Sequence, residues 1–382
     1  MSRFAHLIQP DQGQEARDIQ LVSKSALEDW LKSLPERART AALADRFSGA
    51  PGDYVILPGD KPGDWSAAFG TGNDQSLWDL AAAAKALPEG VYRLANGTPG
   101  PAGLGWMLAH YVYDRYLNKA DATGDRILLT AEPALIAEQA RIAEATALVR
   151  DMVNCPAADL GPSEIQVAIE QLAAEFDAQI HVTRGDDLAS GYPMIHAVGQ
   201  AAERTRAPRL IELEWGNPAN PRLALVGKGV AFDTGGLNIK TGSFMRQMKK
   251  DMGGAAHAIA LARLVMETRL PVRLHLLVPA VENAISGNAL RPGDILRSRK
   301  GLSVEIDNTD AEGRLILGDA LTKAGEAKPD LILDFATLTG AARIALGPDL
   351  PALFANQDAL AAALADAAAS VAVKHAVLLG LR

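Results

Sequence analysis

The chain of 382 residues is long enough for about two domains of ~150 residues each, so it can bury a sizeable core. Its 48% hydrophobic and 22% charged residues exclude a disordered chain and are typical of a globular protein. The formal net charge of -8 argues against a dominant nucleic-acid-binding surface, and we expect no nucleic-acid partner.

The cysteine content and the N-terminal sequence indicate the compartment. The single cysteine, Cys155, excludes an internal disulfide and a multi-cysteine zinc site, as expected in a reducing environment. The N-terminal segment MSRFAHLIQPDQGQ lacks the basic and apolar regions of a signal peptide. No apolar run approaches the ~18 residues that a membrane span needs. We therefore expect a soluble, cytoplasmic protein with no membrane partner.

The first third of the chain predicts a small N-terminal α/β domain over residues 1–130. It mixes strand-like segments such as DYVILPG with helical ones such as SLWDLAAAAKAL, and NGTPGPAG reads as a loop. From 131 onward apolar residues recur every three or four positions, which predicts one long helix. We interpret 131–154 as a linker helix between two domains.

The remainder, 155–382, predicts a second α/β domain. Strand-like segments apolar on both faces alternate with helices, which favours a mostly parallel or mixed sheet flanked by helices. The segments are PRLALVGKGVAF, GGAAHAIALARLVMET, VRLHLLVPAV, LSVEID, LILGDALTKAGE and DLILDFATL. The Ala-rich C-terminal segment is interrupted by Asp366, Lys374 and His375, so we expect a surface or interface helix rather than a membrane span.

Charged residues lie at the ends of predicted strands, and in one case directly before a predicted helix, in this second domain. Ligands of open α/β sheets bind beyond the carboxyl ends of the strands, so we expect these side chains to lie on one rim, with LSVEID as the third contributing strand. The candidates are Lys228, Asp233, Lys240, Asp251, Asp310, Glu312 and Arg314. The sequence contains no HExxH pair of histidines and no phosphate-binding glycine loop.

Taken one at a time, these residues have simpler interpretations. Asp310 and Glu312 suit a helix N-terminus, where a carboxylate caps free amides, and the same is true of Asp251. The lysines and Arg314 alone would be solvated side chains. Clustered carboxylates, however, raise one another's pKa unless cations compensate them. Two divalent metals would do so, and their natural chemistry is hydrolysis.

The second domain also contains three specific segments, VGKGVAFDTGGLNIK, KKDMGGAA and NTDAEGRL. In this order and with these gaps they resemble the leucine aminopeptidase family, the two-metal M17 cytosol aminopeptidases. The similarity extends over at least 153–343, through DMVNCPAADLGP upstream and DFATLTGAAR downstream. The first 125 residues resemble the family only loosely.

The resemblance implies metal-dependent removal of the N-terminal residue from peptides, by a hydroxide that bridges two divalent metals. The implied metal ligands are Lys228, Asp233, Asp251, Asp310 and Glu312. Asp233 and Glu312 would bridge the ions, Lys228 and Asp251 would complete one shell, and Asp310 would bind the other ion. Lys240 would stabilise the oxyanion, and Arg314 would hold a bicarbonate. The backbone near Thr337, Leu338 and Gly340 would contact the substrate.

The resemblance also implies cofactors and partners. The metals would be manganese or zinc, with cobalt and magnesium also compatible with carboxylate ligands. The substrates would be short peptides with a free N-terminus, and the assembly a homohexamer.

By the same resemblance, the family's chain continues well past ATLTG, so we expect a C-terminally shortened member. Two alternatives follow. The first is a non-catalytic remnant that acts only as a structural or binding subunit. The second is a phosphatase or other two-metal hydrolase, since only the family pattern distinguishes peptides from esters.

Overall fold

The computed structural model describes residues 2–73, 76–118, 124–370 and 376–377. The chain divides into two compact units, Met1–Ala147 with Ala341–Arg382, and Leu148–Gly340. A helix at Ala134–Asn154 lies where the sequence predicts a linker helix, and the division between the units falls inside it. The domain boundaries at 130 and 155 stay a prediction. Each helix in the described part of the chain is too short or too polar to span a lipid bilayer.

A six-stranded sheet forms the centre of the first unit. Its strands are β1 (Ile8–Pro10), β2 (Arg17–Ser23), β3 (Tyr54–Pro58), β4 (Trp65–Gly72), β5 (Gly90–Leu94) and β6 (Arg126–Thr130). They lie in the order β1-β6-β5-β2-β4-β3. All neighbours are parallel except β3, which runs antiparallel to β4.

Helices cover both faces of this sheet. They are α1 (Leu27–Ser33), α2 (Glu36–Ala44), α3 (Asp79–Ala86), α4 (Ala102–Ala109) and α5 (Ala134–Asn154), with short 3-10 helices at Ala5–Leu7 and Lys24–Ala26. Because successive side chains of a strand point to opposite faces, Phe69 of β4 packs in one core with Trp106, and Ala68 packs in the other with Ala42. The predicted N-terminal α/β fold is confirmed.

The second unit contains a mixed sheet. Its strands are β7 (Gln179–Arg184), β8 (Arg209–Trp215), β9 (Arg222–Gly227), β10 (Gly229–Asp233), β11 (Arg273–Asn283) and β14 (Leu331–Phe335). They lie in the order β14-β9-β11-β8-β7, with β10 also paired to β11. Strands β14, β9, β10 and β11 are parallel, whereas β8 runs antiparallel to both β11 and β7. The mixed sheet flanked by helices is the predicted fold class.

Helices again lie on both faces. They are α6 (Pro162–Phe176), α7 (Asp186–Gly191), α8 (Pro193–Gly199), α9 (Gly242–Met245), α10 (Gly253–Glu267) and α11 (Glu312–Glu326), with 3-10 helices at Arg204–Arg206 and Met248–Met252. Along β11, Leu276 packs into the core that contains α6 and α10, and Leu277 into the core that contains α8 and α11. The apolar runs predicted to be buried on both faces are therefore buried on both faces.

The prediction that LSVEID is a strand of the main sheet is wrong. Ser303–Glu305 forms β13, which pairs only with β12 (Ile295–Arg297) in a separate two-stranded hairpin among the described residues. The reason is burial, because Ser303 and Glu305 are exposed and Val304 is half-buried. A central strand needs apolar side chains on both faces, whereas β13 has one on a single face only, Val304.

Beyond Gly340 the described chain forms α12 (Ala341–Leu346), β15 (Ala352–Leu353), α13 (Asp358–Ser370) and β16 (Ala376–Val377). The short strands β15 and β16 are parallel to each other. The predicted C-terminal helix corresponds to α13, whose described side chains are exposed or half-buried. Lys374 and His375 lie outside the described residues.

A close approach between α10 and β14 depends on a glycine. The backbone N–H of Lys228 donates to the Phe335 carbonyl oxygen at 2.9 Å, and Ala255 N–H donates to the Lys228 carbonyl at 2.8 Å. A Cβ atom at Gly254 would overlap this same Phe335 oxygen. Only glycine therefore lets the start of α10 lie against the end of β14.

We expect Gly254→Ala to lower the free energy of unfolding by about 1–3 kcal/mol, because backbone must move to accept the methyl group. Gly325→Ala, at an open position in α11, is the matched control. It should leave stability unchanged or raise it by up to ~1 kcal/mol through helix propensity. Urea denaturation monitored by circular dichroism measures both. Equal stability of the two variants would contradict the packing described.

Candidate metal centre

The carboxyl ends of the parallel strands in the second unit bring the predicted residues together. β9 ends at Gly227, directly before Lys228, and β10 ends at Asp233. β14 ends at Phe335, two residues before Thr337. This is the edge at which open α/β sheets bind their ligands.

Lys228 lies at the centre of one half of the site. Its Nζ is 2.8 Å from Asp251 Oδ2 and 2.9 Å from Glu312 Oε1, and it donates to the Thr337 carbonyl oxygen at 2.6 Å. Lys228, Asp251 and Glu312 are each only 2% exposed. Burial of two carboxylates is tolerable here because a buried ammonium lies between them.

Lys240 organises the other half. Its Nζ lies 3.0 Å from Asp233 Oδ2 and also contacts Asp310 Oδ1. The two halves are continuous, because carboxylate oxygens of Asp233, Asp310 and Glu312 lie within 4.8 Å of one another. The structure thus brings together the four carboxylates and two lysines that the sequence predicted for one rim.

The site contains more negative charge than its lysines neutralise. The pKa of Glu312 is raised to about 7, first by burial and then by the like charges of Asp233 and Asp251. Together these effects outweigh the lowering of the pKa by Lys228. Burial and Asp251 also raise the pKa of Asp233. Burial alone would lower the pKa of Lys240, but hydrogen bonds to Asp310 and Asp233 raise it to about 12. Lys240 therefore stays protonated at neutral pH.

One buried carboxylate oxygen tests whether these residues suit a metal. Among the described residues, Glu312 Oε2 has no hydrogen-bond partner. Asp251 Oδ2 and Asp310 Oδ1, by contrast, are paired with the ammonium groups of Lys228 and Lys240. A buried carboxylate oxygen without a partner is costly unless a cation binds it. The cluster therefore fits divalent cations, which prefer oxygen ligands.

Further polar residues, which the sequence analysis did not select, hold this cluster in place. Asn283, at the end of β11, donates through Nδ2 to Asp233 Oδ1 at 2.8 Å and to the Thr309 carbonyl at 3.1 Å. The Thr309 hydroxyl donates to the Gly235 carbonyl at 2.7 Å. Gly235 has φ +87°, in the left-handed region that favours glycine. The only feature of the sequence that could have identified Asn283 is its position at the end of a strand, at the same edge of the sheet.

The glycine after Glu312 makes room for Lys228. A Cβ atom at Gly313 would lie 2.6 Å from Lys228 Cε and 2.8 Å from its Nζ. Helix α11 can thus pass against the lysine only where it has no side chain. The structure does not support the alternative that the NTDAEGRL segment merely caps a helix. The N-cap is Ala311, and within the described chain no side chain caps α11.

Other predicted residues lie outside this buried cluster. Arg314 is exposed on α11, and it has no hydrogen bond or ion pair among the described residues. Thr337 joins the cluster through its hydroxyl, which lies 2.8 Å from Asp251 Oδ1. Leu338 and Gly340, farther along the same loop, are exposed. Both residues are therefore accessible to a substrate, as their predicted contacts require.

Comparisons with known proteins match both parts of the chain. Residues 147–378 match the model of the cytosol aminopeptidase family catalytic domain, and 18–129 match the M17 aminopeptidase N-terminal domain. The catalytic-domain match alone covers more than half of the chain.

Individual relatives agree. The chain is 40% identical over 345 residues to a probable cytosol aminopeptidase of Leifsonia xyli subsp. xyli, covering 85% of this chain and 69% of the relative. A cytosol aminopeptidase structure from Coxiella burnetii superimposes with a TM-score of 0.90 at 41% identity, covering 98% of this chain and 82% of that one. The bottromycin maturation enzyme BotP in complex with Mn gives 0.83 at 32% identity, covering 96% and 82%.

The alignments do not extend over the whole of every relative. The chain spans about half the length of two further curated relatives, 54% and 53%. The matches nevertheless extend over most of this chain at about 40% identity. They agree with the resemblance of the three segments to the same family. The chain belongs to the cytosol aminopeptidase family, M17, a family of peptidases.

Proposed function

We propose that the protein is a metal-dependent aminopeptidase that removes the N-terminal residue from peptides. One observation carries this proposal, the cluster of four carboxylates that includes the partnerless buried oxygen of Glu312. Its place at the carboxyl ends of the parallel strands, in a chain of this family, supports the same conclusion. The alternative of a non-catalytic subunit has less support, because all five candidate metal ligands lie in one cluster.

The proposed metal ligands are Lys228, Asp233, Asp251, Asp310 and Glu312. Asp233 and Glu312 would be shared by two cations, with Lys228 and Asp251 completing one shell and Asp310 the other. When bound, two divalent cations would activate a water molecule and polarise the scissile carbonyl. Lys228 would have to lose its proton to ligate, as a nearby dication favours. Manganese or zinc is proposed, and the manganese complex of BotP supports manganese; cobalt and magnesium are compatible.

Lys240 is the proposed electrophilic catalyst. Because hydrogen bonds to Asp310 and Asp233 raise its pKa to about 12, it is a permanent cation at the edge of the cluster. Its ammonium would donate a hydrogen bond to the carbonyl oxygen of the substrate and then to the oxyanion that forms from it. Arg314 is the proposed holder of a bicarbonate ion. Backbone groups of the exposed loop at Thr337, Leu338 and Gly340 would align the peptide.

We also propose that the substrates are short peptides with a free N-terminal amine. The proposed assembly is a homohexamer and the proposed compartment the cytoplasm. Light scattering of the purified protein tests the assembly, and a mass other than six chains would contradict it.

The first test concerns the metals. We expect dialysed protein to bind two Mn²⁺ or Zn²⁺ per chain, and a chelator to abolish hydrolysis of leucyl p-nitroanilide but not to unfold the protein. Glu312→Gln removes the partnerless charge while conserving shape, so it should bind fewer ions and lose hydrolysis. Glu305→Gln, at an exposed carboxylate of β13, is the control and should do neither. Elemental analysis gives the stoichiometry. Full chelator-resistant activity would reject a metal mechanism.

The second test concerns Lys240. Loss of one preorganised donor to an oxyanion reduces kcat by about 10²–10³-fold, and we expect this loss for Lys240→Met. KM should change little if the contact forms mainly in the transition state. Lys300→Met, at an exposed lysine, should retain wild-type kinetics. Steady-state kinetics on leucyl p-nitroanilide, with metal content measured for both variants, distinguishes them. An N-acetylated substrate should not be cleaved by any form.

The third test uses the glycine beside Lys228. A methyl group at Gly313 would displace the lysine amine, so we expect Gly313→Ala to weaken metal binding by about 10–100-fold, as disturbed support of metal ligands usually does. Gly325→Ala in the same helix should bind metal as the wild type does. Competition with a fluorescent chelator measures both affinities. Unchanged affinity in Gly313→Ala would remove Lys228 from the proposed ligand set.

A further inference from the structure

Lys250 brings a third ammonium group to the carboxylate cluster. It lies in the 3-10 helix Met248–Met252, and its Nζ is 3.3 Å from Asp251 Oδ1. Its side chain is 39% exposed, in contrast to the almost completely buried Lys228. The neighbouring Lys249 is directed elsewhere, since its Nζ donates to the Asn154 carbonyl at 2.6 Å. Two adjacent lysines therefore have different surroundings.

Asp251 does not need Lys250 as a partner. Its Oδ2 already lies 2.8 Å from the buried Lys228 ammonium, and its Oδ1 lies 2.8 Å from the Thr337 hydroxyl. A further contact of 3.3 Å from a partly exposed lysine adds little to stability, because solvent screens the charge. Lys250 thus keeps most of its charge available to other groups at the margin of the site.

The location of this charge matters for the substrate. Lys250 and Thr337 meet at the same oxygen of Asp251, and Thr337 begins the loop proposed to align the peptide. A lysine ammonium on a flexible stem can turn toward a carboxylate that enters beside it. A charge-assisted hydrogen bond of this kind is shorter and stronger than a neutral one.

We infer that Lys250 is a specificity-determining residue that binds a substrate carboxylate next to the scissile bond. The inference rests on the proposed aminopeptidase function and names its substrate class, peptides with an acidic residue at the first or second position. The carboxylate could belong to the N-terminal side chain or to that of the residue after it. These two sources share one chemistry, and separate substrates distinguish them.

The experiment compares matched acidic and amide substrates in the manganese-loaded protein. Glutamyl and glutaminyl p-nitroanilides probe the first position, and the peptides Leu-Glu-Ala and Leu-Gln-Ala probe the second. In Lys250→Met, the ratio of kcat/KM for acid over amide should fall about tenfold in at least one pair, as expected for loss of one charge-assisted contact. Lys250→Arg keeps the charge and should restore most of the ratio. Lys249→Met should keep both ratios within about twofold.

Two results would overturn the inference: ratios unchanged in both pairs for Lys250→Met, or an equal fall in Lys249→Met. If the wild-type protein cleaves none of these substrates, a binding measurement decides the role of Lys250; the proposed function itself fails only if leucyl p-nitroanilide is not cleaved either. Calorimetry with free glutamate and glutamine then supports the inference if glutamate binds more tightly and Lys250→Met loses that preference. Equal binding of both amino acids would reject it.

Discussion

The second unit depends on one electrostatic constraint, the collection of four carboxylates at one edge of its sheet, three of them almost completely buried. Like charges in a medium of low polarity cannot all stay ionised unless cations lie among them. Lys228 and Lys240 supply part of that compensation, and the pKa of about 7 at Glu312 shows that it is incomplete. The deficit of positive charge connects the fold to metal chemistry, because divalent ions would complete the compensation that the lysines begin.

The backbone around the site is built to keep this arrangement rigid. Gly254 and Gly313 let α10 and α11 approach Phe335 and Lys228 more closely than any side chain would permit. Asn283 connects the end of β11 to Asp233 at the end of β10, and the Lys228 amide after β9 connects to the Phe335 carbonyl at the end of β14. Because the like charges are brought together when the protein folds, no further free energy is needed to arrange them in each catalytic cycle.

Much of this could be predicted from the sequence. Apolar runs on both faces predicted the buried sheet, and the charged residues after LALVG and before α10 were expected at its edge. The failure at LSVEID is instructive, since three alternately exposed residues resemble a strand but lack the burial of a central one. Asn283 and Gly313 escaped notice because their roles arise only when distant segments pack together. The alternation of apolar and polar residues indicates which face of a strand is buried, but not which distant segment packs against that face.

The pairing of β14 has a consequence for motion. Among the described residues this strand pairs only with β9, and most of its side chains are half-buried. Yet its last carbonyl fixes the amide of Lys228, and the segment after it contacts both the lysine amine and Asp251. Local opening begins where protection is weakest. Fraying of the edge strand β14 would therefore loosen the Lys228 ammonium before the central strands unfold. The chemistry of the site would then depend on the least protected strand of the sheet.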